Sequence, residues 1–67
     1  MIKSLHNALS ELELEYHELG EIINETIILT AKSLDAEGIS EVIRINELAA
    51  TFNLITKWNG HSIEIKK

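Results

Sequence analysis

The chain has 67 residues, no cysteine, no proline and a formal charge of −5, and 45% of its residues are hydrophobic. A domain of this size rarely gains more than about 3–5 kcal/mol from a private core, and without cysteine neither disulfides nor thiolate metal sites can add to it. The hydrophobic fraction argues against disorder, the acidic balance makes nucleic acid and anionic membranes poor partners, and no stretch approaches the roughly 18 apolar residues of a membrane span.

From the start of the chain, large apolar residues recur in alternating steps of three and four at Ile2, Leu5, Leu9, Leu12, Tyr16, Leu19 and Ile23. This is the a/d seam of a heptad helix. Beyond it Ile22, Ile27, Ile28, Leu29, Ala31 and Leu34 widen the stripe into a face that suits a multi-helix core. The run Ile22–Leu29 also resembles a strand, since β-branched residues favour sheets. Length and continuity of the helical spacing on both sides favour a helix over about 2–33. Gly20 is its weak point, to be tolerated, to kink it, or to let two helices approach closely.

Residues of about 34–39 read as an acidic turn. Asp35 or Ser40 is placed to cap the next helix, with Glu37 and Glu41 near the positive end of its dipole. A second helix over about 40–58, with Ile39 at its start, carries Ile39, Val42, Ile45, Leu48, Ala49, Phe52 and Ile55 on one face, with Ile43, Leu54 and Trp58 flanking it. Asn59-Gly60 would stop it. The tail, 59–67, alternates polar and apolar residues as an extended segment does. An alternative reading makes Asn59-Gly60 the turn of a hairpin between Leu54–Trp58 and that tail.

The expected fold is therefore all-α, a single antiparallel helical hairpin over 1–67. Its first helix would be about 48 Å long and its second about 30 Å, so the N-terminal seam would overhang. Each large side chain left in water would forfeit about 1.5–3 kcal/mol. The simplest cover is a second copy, giving a four-helix-bundle-like homodimer, a coiled coil in its seam. The interface residues expected on this reading are Ile2, Leu5, Leu9, Leu12, Tyr16, Leu19, Ile23, Phe52 and Trp58.

Chemistry is sparse. Glu13, His17 and Glu21 would share one helical face and could hold a divalent metal, but a solvated acidic face explains them as well. Neither His17 nor His6 has the Glu three residues before it that di-iron bundles use. Residues 1–33 hold six acids (Glu11, Glu13, Glu15, Glu18, Glu21, Glu25) against Lys3 and Lys32, a surface suited either to solvent or to a basic partner. Asn24-Glu25-Thr26 matches a glycosylation sequon and Ser10-Glu11-Leu12-Glu13 a capping box, both read as chance. No nucleophile–base pair and no glycine-rich phosphate loop stands out, so no catalytic residue, metal or cofactor is expected.

Two amphipathic helices joined by an acidic turn resemble the small helical-hairpin dimers that plasmids and phages encode, Rop-type RNA-binding bundles among them. The segment Arg44-Ile-Asn-Glu-Leu-Ala-Ala-Thr-Phe-Asn-Leu-Ile is similar to oligomerisation helices of phage small terminase subunits. The resemblance implies self-assembly. The expected function is a non-enzymatic protein-interaction and oligomerisation module, a regulator, adaptor or assembly factor whose partners are itself and another protein. A nucleic-acid-linked accessory protein is the alternative. The segment Met-Ile-Lys-Ser-Leu-His lacks the apolar core of a signal peptide, which points to the cytoplasm.

Overall fold

The first helix stops two-thirds of the way short of its expected end. A computed structural model, which describes residues 2–67, ends helix α1 (Ile2–Glu11) after ten residues. No base sits in its last turn, and Glu11, Glu13 and Glu15 crowd the negative end of its dipole. Leu12 N–H closes a final turn on Leu9 C=O at 3.2 Å, and Glu13 at φ 52° turns the chain away.

Strands β1 (His17–Ile23) and β2 (Thr26–Ala31) then form a hairpin. Its two-residue loop, Asn24-Glu25, has φ 51° and 56°, the pair of positive values that matches the twist of the flanking strands. Helix α2 (Ala36–Thr51) begins at Asp35, whose carboxylate accepts from Gly38 N–H at 3.0 Å. It ends in a left-handed residue, Asn53 (φ 60°). There Asn53 N–H bonds Ala50 C=O and Leu54 N–H bonds Ala49 C=O, closing the last turn. Strands β3 (Ile55–Trp58) and β4 (Ser62–Lys66) form a second hairpin. In its turn Asn59 Oδ1 accepts from the backbone N–H of His61 and Ser62, and Gly60 takes φ 96°.

The four strands make one antiparallel sheet in the order β1-β2-β4-β3. Helix α2 carries the chain from β2 to the far edge, and β4 fills the gap between β2 and β3. Both helices cover the same face. Leu5 and Leu9 of α1 and Val42, Ile45 and Ala49 of α2 meet Ile27, Leu29, Ile63 and Ile65 of the central strands, with Leu54 closing one end. The result is an α+β domain of two layers.

This overturns the all-α helical hairpin, and the reason lies in the register. Leu19 pairs with Leu29 and Ile22 with Ile27, so Gly20 and Glu21 together oppose Ile28 in a β-bulge. The extra residue converts a two-residue alternation into a step of three, which imitates helical spacing. Gly20 is needed there, because a Cβ would lie 2.6 Å from Ile28 C=O on the neighbouring strand. The first helix ends at Glu11 instead of running to about 33, and the second runs Ala36–Thr51 instead of 40–58. The coiled coil, the four-helix bundle and the likeness to helical-hairpin dimers built on the expected helices go too. The hairpin reading of 54–65 is the one the chain adopts. Among the described residues no helix is long and apolar enough to cross a membrane.

Candidate interaction surface

The same alternation that buries one side of the sheet fixes what stands on the other. Ile27, Leu29, Ile63 and Ile65 point to the helices, so Ile28, Thr30, Ser62, Glu64 and Lys66 point away. Cross-strand pairing extends this open face into two rows. One runs Ile23, Thr26, Lys66, Ile55 from β1 to β3, and the next runs from the bulge through Ile28 and Glu64 to Lys57. An open antiparallel face is ordinarily polar. Here Ile23 is 62% exposed, Ile28 43% and Ile55 63%. Trp58 at the end of β3 is also exposed, but it pairs with core-facing Ile63 and so stands on the helix side of the sheet. A shallow cleft on the open side is lined by Ile28, Lys57, Trp58, Asn59, Ser62 and Glu64.

Charge divides across this face. Lys57 and Lys66 stand on the β4–β3 half around Glu64, and Lys66 Nζ lies 3.3 Å from Glu64 Oε1. Glu18 and Glu21 stand on β1 with no base on that strand. The sheet is acidic along one edge and net basic along the other.

Among the described residues the buried charged or polar side chains are His17 and Glu41, which meet on the helix side. His17, 2% exposed, places Nδ1 2.9 Å from Glu41 Oε1 of α2. The same carboxylate accepts from Tyr16 N–H at 3.0 Å and, through Oε2, from Glu15 N–H at 2.9 Å. Burial pushes the Glu41 carboxyl up, but these three hydrogen bonds outweigh it and hold its pKa below the ordinary carboxylate range. Tyr16 O–H donates to Glu37 Oε2 at 2.8 Å. That bond, reinforced by the nearby negative charge, raises the phenol to about 12. The cluster fastens the segment between α1 and β1 to the second helix.

The expected interface residues scatter. Leu5 and Leu9 are fully buried in the chain's own core, and Ile2, Leu12, Leu19 and Phe52 pack partly against it. Tyr16 is engaged with Glu37. Only Ile23 and Trp58 of that set stand exposed on the sheet. Glu13, His17 and Glu21 do not share a face. They lie in a loop, in the core and on the open face, and no metal-holding group of three such side chains forms among the described residues.

Sequence reasoning missed the roles of Ile28, Ile55 and Glu41. For Ile28 and Ile55 the available signal was strand alternation. For Glu41 it was an acid lying one residue before Val42 and four before Ile45, on the buried side of a helix. A further pair of exposed isoleucines, Ile39 and Ile43, lies one turn apart on the outer side of α2. The sequence matches no known protein family, and no curated protein and no solved structure is significantly similar to it.

Proposed function

We propose that this chain is a non-enzymatic interaction module that works through the open face of its sheet, as a regulator, adaptor or assembly factor in the cytoplasm. The observation that carries the reading is the line of Ile23, Ile28 and Ile55 on the side opposite the core. These side chains add nothing to the monomer's interior. Each has about half its surface in water, so covering it is worth about 1 kcal/mol. Three of them form the apolar centre of a protein-binding surface, and Glu18, Glu21, Lys57 and Lys66 form its polar rim.

The groups suited to acid–base chemistry support the same reading by their position, since His17 and Glu41 spend their hydrogen bonds on a loop. Basic side chains are dispersed, with Arg44 on α2 and Lys57 and Lys66 beside Glu64 on the sheet. They form no stripe that would track a phosphate backbone, so protein is the better partner.

The test is site-specific photo-crosslinking with a benzophenone side chain at position 28, and at Glu47 on α2 as control. A discrete protein adduct from position 28 that Ile55→Lys abolishes, with none from position 47, is the expected result. Equal labelling at both positions, or nucleic acid as the main adduct, would overturn the reading.

A further inference from the structure

The two halves of the open face complement each other, which points to what covers it. Ile23 and Ile55 are the most exposed of the large hydrophobic residues, and they stand at opposite ends of one row, on the two edge strands. In the adjoining row the bulge residue Glu21 and Lys57 stand at opposite ends in the same way, with opposite charge. A two-fold axis parallel to the strands, passing between β2 and β4, exchanges the ends of every row. It lays Ile23 of one copy over Ile55 of the other and Glu21 over Lys57, each twice. A two-fold axis across the strands would instead lay acidic β1 over acidic β1.

We infer that the occupant of this face is a second copy of the chain, packed sheet to sheet with β1 of each copy over β3 of its partner. This rests on the proposed use of the face for protein binding and names the partner. The arrangement is isologous, so it closes at two copies, and aligned sheets are a standard packing of two such faces. The two copies of Ile28 flank the axis, each lying over Glu64 of the other copy.

Size sets the strength. Four strands at about 4.8 Å spacing, with about five residues at about 3.3 Å each, make a face of about 19 by 17 Å. Two such faces bury well under the roughly 1,200 Å² at which stable complexes begin. The dimer is therefore weak, forming in the micromolar to millimolar range, and its orientation is set by charge rather than by area.

The experiment is sedimentation equilibrium on the whole chain over that range. It compares the wild type with Glu21→Lys, Lys57→Glu, the double exchange and Ile28→Lys, with circular dichroism confirming that each is folded. All the exchanged positions are exposed. Each single charge reversal should weaken dimerisation roughly ten-fold, because every reversal acts at two symmetric pairs, and the double exchange should restore it to within about three-fold.

A second measurement uses the absence of native cysteine. Ile23→Cys chains mixed with Ile55→Cys chains should be joined by a bis-maleimide spanning the sheet-to-sheet gap of about 10 Å, and neither variant alone should be. A double exchange no better than the singles, or cross-linking of Ile23→Cys chains to one another, would overturn the arrangement even if Ile28→Lys still dissociated the dimer and left the working face intact. A wild type that stays monomeric to millimolar concentration would overturn the second copy as partner, while cross-linking from position 28 to a different protein would preserve the use of the face.

Discussion

Removing the Glu41 carboxylate should unfold this protein, and the size of the effect can be worked from its three hydrogen bonds. Glu41 is 4% exposed and joins α2 to the backbone N–H of Glu15 and Tyr16 and to His17 Nδ1. Glu41→Ala would strand a buried imidazole and two N–H groups, and breaking a buried pair from one side costs about 3–5 kcal/mol. That equals the whole stability expected of a domain this small, about 3–5 kcal/mol, so the variant should be largely unfolded at 25 °C.

Glu41→Gln keeps the shape but turns one acceptor into a donor facing a donor, for about 1–3 kcal/mol. At about 4–8 °C of Tm per kcal/mol the loss is easily read by thermal circular dichroism. Because the folded pKa of Glu41 lies below its ordinary 4.5, its contribution is fully present above that value and is lost as pH falls through the lower, folded value. Glu41→Gln should therefore flatten the acid limb of the stability curve below pH 4.5. Replacing both partners, as His17→Phe with Glu41→Leu, should cost less than Glu41→Ala alone. A Glu41→Ala variant that melts with the wild type, its acid limb unchanged, would refute this account of the cluster.

Two further outcomes bear on local structure. Glu25 holds φ 56° at the second loop position of the β1–β2 hairpin, where glycine is preferred. Relief of about 1–2 kcal/mol of left-handed strain, less the greater entropy of an unfolded glycine, should make Glu25→Gly about 0.5–1 kcal/mol more stable in denaturant titration. Tyr16 is the only tyrosine, so its ionisation can be followed by ultraviolet absorbance. The phenol should titrate near 12 in the wild type, and Glu37→Gln, which removes the acceptor carboxylate, should bring it down towards 10.0.

Local signals were legible wherever chemistry acts within a few residues. Asp35 as the cap of α2, the apolar face through Val42, Ile45 and Ala49, and the Asn59-Gly60 reversal can all be read in the sequence. The fold class was hidden by two coincidences. Tyr16, Leu19 and Ile23 happen to continue the α1 spacing, although Tyr16 precedes β1, Leu19 faces the core and Ile23 stands on the open face beyond the Gly20-Glu21 bulge. The hairpin loop that would have broken the pattern has Glu25 where glycine usually advertises the turn. Both signals are resolved only by pairing between distant strands, β2 with β4 above all, and spacing along one segment cannot report that. The buried Glu41 was hidden for the same reason, since its partners lie more than twenty residues away.

Those long-range pairings also decide how the chain can meet a partner. A four-stranded sheet offers two routes, its edges and its uncovered face. The edges are poor templates, because β1 is broken by a bulge and β3 is only four residues long and carries Lys57. The face has no such defence. It holds β-branched apolar side chains where a solvated sheet would alternate to polar ones, an aggregation hazard in a monomer unless something specific covers them. Evenly spread charge would make that cover indiscriminate. Acids on one edge strand and lysines on the other allow the face to accept its own copy in one orientation and to oppose it in the other. On the proposed reading, the core holds the monomer together and the uncovered face of its sheet is completed by association.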